Sequence, residues 1–490
     1  MRLKKIGGFS IGTLLSRLSG LGREIVFAYL FGSSANMDAF RVAFNIPNLL
    51  RDFFGEGGIN AAFLPVFSGY RSKEGRESAN GYLSSFLFPL ILILLFVVSL
   101  GIIFSPQIIS VVARGFTGNP EQFHLTVKLT KIIFPFLIFI SLASVAMGIL
   151  TYFDRFFITG IYPIFFNLSV ILCSFLLFKS FGIVGAGIGV LIGGLLQFLF
   201  LLVFLPHSGI RLKAPELRHP GVSTSFNLLG PVFLAYAATK INVAVTLFLA
   251  SLLPVGSISY MSYAYRIMQL PLGMFGVAVA AVSLPELSRI AAARKSQDSS
   301  ILGALRSLFL LTIPATFLLF ALRIPAVHVL YEHGAFSPQD CYNTASVLLF
   351  YLLGIPFISG NKVISNVYFS RKDAKTPMKI SYITMVMNVL LAIILMNRLG
   401  IRGLALAVSI SGAVQFALLS KPHFETLKKM IPFFGKILLL SLISIMPVIY
   451  IQHNFGPLFS LIVGSILFGL IFVWCGYILK IEEICRIIKR

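Results

Sequence analysis

A chain that runs apolar again and again for the thickness of a bilayer has few folds open to it. Every backbone N–H and C=O in hydrocarbon must be satisfied within the protein, which leaves helices or closed barrels. Runs long enough for a helix, about 20 residues each, occur at 6–31, 37–67, 80–104, 126–150, 159–178, 184–205, 226–250, 257–287, 302–323, 341–368, 377–397, 402–420, 433–452 and 457–479. They predict an all-α polytopic membrane protein with fourteen transmembrane helices. A mean hydropathy of +0.92 with only 12% charged residues agrees, since soluble domains carry about 25%.

The net charge of +23 would suggest nucleic acid in a soluble chain, but here the basic residues sit in short loops between apolar runs. They read as topology signals and as contacts with anionic membrane lipid, with no nucleic-acid partner. One side of the membrane receives Arg2, Lys4, Lys5, Arg71, Lys73, Arg76, Arg155, Arg211, Lys213, Arg218, Arg289, Arg294, Lys295, the cluster from Arg371 to Lys379, and Lys421, Lys428, Lys429, Lys480, Arg486, Lys489 and Arg490. The other receives Arg114, Lys179, Arg323, Arg398 and Arg402. An excess of about five to one places both termini in the cytoplasm. The basic N-terminus followed by an apolar run resembles a signal peptide, but Arg17, Arg23 and Glu24 interrupt the run and no small-residue cleavage site follows, so it reads as a retained first helix.

Within this apolar background, residues 16–68 are anomalous: they carry Arg17, Arg23, Glu24, Asp38, Arg41, Arg51, Asp52 and Glu56. A charge at the bilayer midplane costs about 2.5–3.5 kcal/mol even on insertion scales, so several in one stretch predict a polar chamber lined by protein. Snorkelling to the interface or ion pairing between helices is the competing explanation, and for Arg41 and Asp52 the two stand level. Arg17 and Arg23 lie too deep in the first run for snorkelling. The run 37–67 is longer than a straight span needs and contains Gly55, Gly57 and Gly58, which predicts a tilt, a bend or a projection.

The two halves repeat at a spacing of about 220 residues. LPVFS at 64–68 answers LPELS at 284–288, Phe134-Pro135-Phe136 answers Ile355-Pro356-Phe357, and Tyr152-Phe153-Asp154-Arg155 answers Tyr368-Phe369-Ser370-Arg371. Gly182-Ile183-Val184-Gly185 answers Gly400-Ile401-Arg402-Gly403, and Gln197-Phe198 answers Gln415-Phe416. Six helices separate the copies, so the repeat is parallel, and parallel repeats place a substrate between lobes near the midplane. The expected organisation is an N-lobe at 1–205, a Pro-rich charged linker at 206–222, a C-lobe at 223–420, and two further helices with a basic tail at 421–490. Periodicity alone favours a packing appendix for that last pair over a groove for a lipid chain. Gly8/Gly12, Gly185/Gly189 and Gly189/Gly193 have the spacing of close helix contacts.

Enzyme signatures fail. HExxH, GxSxG and CxxC are absent, Gly354–Lys362 breaks the phosphate-loop pattern, and the histidines and the cysteines Cys173, Cys341, Cys475 and Cys485 lack metal spacing, so no metal and no cofactor is implied. In the second half Lys240, Arg266 and Lys362 lie in apolar runs with no acidic residue between Glu216 and Glu286. Buried cations of this kind favour an anion, and the planar fork of arginine suits phosphate oxygens, so converging arginines suggest a diphosphate. A structural pair of Arg266 with Glu24 or Asp38 is the alternative. Lys128 and Lys131 read as interfacial anchors. Asp38, after GSSANM, reads by pattern as the cap of the second helix, and Ser16 and Asn48 as hydrogen-bonding groups for a head group or for a neighbouring helix.

The stretches SRLSGLGRE, DAFRVAFNIPNLLRDFFGEGGINAAFLPVFS and YAYRIMQLPLGMFGVAVAAVSLPELS resemble the MurJ/MviN lipid II flippases of the multidrug/oligosaccharidyl-lipid/polysaccharide exporter superfamily, over essentially the whole chain. The resemblance implies alternating access that carries an undecaprenyl-diphosphate-linked peptidoglycan precursor across the bacterial inner membrane, with lipid II as substrate and cell-wall synthesis proteins as partners. It implies substrate contacts at Arg17, Arg23, Arg51, Arg266, Ser16, Asn48 and Glu56, gating at Asp38, and a lipid-tail groove along the last two helices, reversing the preference from periodicity. Some relatives bind sodium through acidic residues in helices seven and eleven. Neither 226–250 nor 377–397 holds Asp or Glu, so sodium coupling is not expected here. Competing classes are an exporter of another polyprenyl-linked glycan or of drugs, a membrane glycosyltransferase, and a scaffold for wall synthesis.

Overall fold

The computed structural model describes residues 2–54, 58–216, 218–293 and 296–488. These residues are helical almost throughout, as the apolar runs require. They form two compact units, Met1–Ser259 and Tyr260–Arg490. In the first lie α1 (Arg2–Phe31), α2 (Ala35–Phe54), α3 (Gly58–Lys73), α4 (Arg76–Ile103), α5 (Ser105–Val112), α6 (Pro120–Ile133), α7 (Phe136–Tyr152), α8 (Phe156–Ile161), α9 (Pro163–Leu176), α10 (Phe178–Phe181), α11 (Ile183–Phe204) and α12 (Pro220–Ser251). α13 (Ser257–Pro271) begins in the first unit and continues into the second, and after it come a π-turn at Leu272–Gly276, α14 (Val277–Ala292), α15 (Asp298–Tyr331), α16 (Pro338–Leu352), α17 (Ile355–Ser370), α18 (Lys375–Leu399), α19 (Ile401–Ser420), α20 (Phe424–Lys428), α21 (Ile431–Asn454), α22 (Pro457–Ile478) and α23 (Glu482–Ile488).

Among the described residues ten helices are long and apolar enough to cross a membrane, or eleven when α16 and α17, bent by 41°, count as one span. The remaining expected spans, 6–31, 37–67 and 226–250, fall on α1, on α2 with α3, and on α12, so a count of fourteen is not reached by length and composition. The run 37–67 is two helices rather than one. At Gly58, where α3 begins, a Cβ would sit 2.2 Å from the Phe53 carbonyl oxygen, so this position needs a residue without a side chain.

In the first unit the glycine stripe of α11 lies against α9. A Cβ at Gly189 would approach Val170 Cα and Cys173 Cβ to 2.9 Å, and one at Gly193 would meet Phe166. Gly12 of α1 is packed equally tightly on Gly160 of α8. Backbones this close replace the hydrophobic effect, which is absent between helices in lipid, with dispersion contact. α12 is held at both ends: Gly221 packs on Tyr70 and Tyr82, the Tyr82 hydroxyl is 2.6 Å from Ser225 Oγ, and Gly115 abuts the Ser251 carbonyl. The stretch before it is strapped to α4, where Ser84 and Ser85 hydroxyls accept the Lys213 and Glu216 amides, Arg76 donates to the Gly209 carbonyl, and Lys213 pairs with Glu77.

The second unit gathers α14, α15, α17, α19, α21 and α22 around Leu305, Phe309, Val363, Ile364, Ile437 and Leu440. Ile481 and Ile484, near the C-terminus, are buried in the same cluster, with Ile484 filling the space beside Gly476.

The repeat is visible in the joints. Gly182 (φ 53°, ψ −132°) and Gly400 (φ 57°, ψ −134°) make the same turn between the paired helices, in a region that side chains disfavour. In each, the glycine N–H bonds four residues back and its carbonyl accepts from the glycine three residues on. Asp154 and Lys372, both at φ 61°, end α7 and α17 in the same left-handed way, although the sequence match aligns Asp154 with Ser370.

Candidate functional site

The charges of the first unit gather around Glu24 on α1, which is fully buried. One of its oxygens accepts from Arg23 Nη2 at 2.8 Å and the other from Arg41 Nη2, on α2, at 2.5 Å. Arg23 and Arg41 are 9% and 8% exposed. Carboxylate and guanidinium survive together out of water because each supplies what the other lost on dehydration. The Arg41 question left level by the sequence is thereby answered in favour of an ion pair between helices.

Arg23 has a second, neutral partner. Its Nη1 donates to Asn167 Oδ1 at 3.2 Å, and Asn167, 6% exposed on α9, donates through Nδ2 to Ser19 Oγ at 2.9 Å and to the Ser16 carbonyl at 3.3 Å. The guanidinium lies 5.5 Å from the Phe166 ring and 5.8 Å from Phe27, and that of Arg41 lies 5.6 Å from Phe27. Aromatic faces stabilise cations by their quadrupoles and exclude water, which strengthens the neighbouring pairs.

Asp38 does not cap its own helix. Ser34 does, accepting the Met37 amide at 3.3 Å. The Asp38 carboxylate, 2% exposed, instead accepts the Gly256 amide at 2.7 Å, the Ser259 amide at 2.8 Å and the Ser259 hydroxyl at 2.6 Å. It therefore satisfies the orphan donors at the start of α13, where a negative charge also meets the positive end of the helix dipole.

The remaining expected residues differ in setting. Arg17 is exposed on α1 and Ser16 beside it is half-buried. On α2, Asn48 and Arg51 are half-buried, and Asn48 Oδ1 is enclosed with no hydrogen-bond partner. Glu56 lies outside the described residues. In the second unit Arg266 on α13 and Lys362 on α17 are half-buried. The structure joins Ser16 to Arg23 through Asn167, which the sequence reading did not single out. A lone amide in the apolar stretch PIFFNLSV was the available signal. Asp38, Arg41, Asn45 and Asn48 share one stripe of α2 at helical spacing, a second signal that the period of 3.6 residues makes readable.

These helices define the class first. A multidrug resistance MATE family transporter of the MOP superfamily, in an inward-facing conformation, superposes with a TM-score of 0.68 over 87% of this chain and 99% of that one, at 16% identity, which is a likeness of fold. The chain itself belongs to the lipid II flippase MurJ family, whose model matches residues 27–470. It is 35% identical over 83% of its length to 80% of a probable lipid II flippase MurJ of Vibrio cholerae, and 34% identical over 86% of its length to 84% of one from Buchnera aphidicola. A solved lipid II flippase MurJ in an inward closed conformation matches with a TM-score of 0.85 and 31% identity, covering 97% of this chain and 99% of that one.

Proposed function

We propose that this protein moves lipid II from the inner to the outer leaflet of the bacterial cytoplasmic membrane by alternating access. The observation that supports it most, beside family membership, is the buried Arg23–Glu24–Arg41 cluster on α1 and α2. Guanidiniums held by hydrogen bonds in a dry setting are donors prearranged for phosphate oxygens. Arg17, Arg23 and Arg51 in the first unit, with Ser16, Asn48 and Glu56, are assigned to head-group contact. Arg266 of the second unit is assigned to the same anion class, and Asp38 to gating. The work is positional and electrostatic; no covalent step is required.

The segments 1–205 and 223–420 are proposed as the moving lobes, joined at 206–222, with 421–490 offering the lipid tail an apolar surface. The face of α22 along Ser465, Gly469, Val473 and Trp474 supports that assignment. Both termini are placed in the cytoplasm on the charge bias of the loops, where anionic lipid is the expected neighbour. With no acidic residue in 226–250 or 377–397, the membrane potential is the favoured drive, supplying about 2.3 kcal/mol per charge per 100 mV.

The test is translocation of labelled lipid II in vesicles of controlled ion content and potential. Arg→Ala at positions 17, 23, 51 and 266 is expected to stop it, and Lys73→Ala to leave it intact. The reverse pattern overturns the assignment. Competition with other polyprenyl-linked glycans separates lipid II from an exporter of wider range. A scaffold for wall-synthesis proteins would tolerate all four substitutions.

A further inference from the structure

We infer that Asn167 is a positioning residue for the Arg23 guanidinium, acting on head-group binding through Arg23 and not by touching the substrate. The inference rests on the proposed function, in which Arg23 contacts the anion. Three observations carry it. First, the orientation of the Asn167 amide is determined: with Nδ2 donating to Ser19 Oγ and the Ser16 carbonyl, Oδ1 has to face Arg23 Nη1. Second, Ser19 Oγ itself donates to the Ser16 carbonyl at 2.9 Å, so the amide is braced by a closed loop of hydrogen bonds on α1. Third, Asn167 is buried, at 6% exposure, so little water competes for these hydrogen bonds.

The chemistry explains why an amide stands there. Glu24 orients Arg23 from one side and neutralises charge as it does so. A second carboxylate on the other side would fix the guanidinium equally well and cancel its attraction for a diphosphate. A neutral acceptor orients without cancelling. Phe166, the residue before Asn167, lies under the same guanidinium, so α9 supplies both its edge contact and its face contact.

The experiment is a double-mutant cycle on the full chain in lipid nanodiscs, with equilibrium binding of lipid II and, in parallel, of undecaprenyl diphosphate. Asn167→Ala is expected to weaken both ligands about tenfold, as the loss of one charge-assisted hydrogen bond implies. In an Arg23→Ala background the same change is expected to have an effect below about twofold, because its only route to the ligand is gone. An equal factor in both backgrounds identifies a merely structural residue and overturns the inference, as does an unchanged affinity in the single variant. If Arg23→Ala alone leaves binding untouched, the proposed role of Arg23 fails, and that outcome is distinct from failure of Asn167. Should Asn167→Ala not fold, Asn167→Asp serves, being the same shape. It is expected to bind more weakly than the natural protein wherever Arg23 is present and to have no effect where it is absent; tight binding by Asn167→Asp overturns the proposal.

Discussion

The two units bury polarity in different currencies. Every buried Asp, Glu or Arg among the described residues is in the first, as Arg23, Glu24, Asp38 and Arg41. The second has a neutral seam instead. Asn361 donates to the Gly412 carbonyl and to Gln415, Gln415 donates to Ser381, and Ser411 donates to Asn388. Helices with the same joints and comparable glycine contacts thus enclose a charged network in one case and an amide network in the other. Charge needs a partner of opposite sign at the same depth, whereas amides and hydroxyls can hold helices together through carbonyls available on any helix.

That contrast can be broken by mutation, beginning where the effect is largest. Glu24→Gln removes the carboxylate shared by two guanidiniums, and breaking a buried pair typically costs about 3–5 kcal/mol. A loss of folded protein, read as a large drop in melting temperature in detergent, is expected, and a variant as stable as the parent would end the view that the first unit depends on this cluster. Asp38→Ala takes the charged acceptor from three donors at the start of α13. A loss of about 2–3 kcal/mol follows if charged hydrogen bonds hold their usual worth. Hydrogen exchange at the Gly256 and Ser259 amides should speed up accordingly, and unchanged protection there would contradict the observed bonding.

The shared features call for equal responses. Gly182→Ala and Gly400→Ala each place a Cβ in a backbone conformation that costs about 1–3 kcal/mol for an L-residue. Matched decreases in melting temperature are expected, and a clear difference between them would mean that the joints are alike in shape but not in energetics. The smallest effect belongs to the amide seam. Ser381→Ala deletes the acceptor of one interhelical bond from Gln415, and such bonds in membranes average about 0.6 kcal/mol. A loss as large as that from Glu24→Gln would erase the distinction between the two units.

What the sequence determined by itself is what neighbours in the chain determine. The spacing of apolar runs required helices because hydrocarbon leaves backbone groups no other partner, and Gly182, Gly400, Pro135 and Pro356 mark joints whose backbone geometry is local. The repeat was readable for the same reason, and so was the family. Pairing was not. Glu24 could have met any of four arginines in its stretch, and only the packing of α1 on α2 and α9 brought it to Arg41 and brought Asn167 to Arg23. Asp38 looked like a cap for the helix it begins, yet it caps one that starts more than two hundred residues later in the chain. Composition states which charges must be buried, but the partner of a buried charge is whatever the fold carries to within about 3 Å of it, and that distance is set by tertiary structure alone.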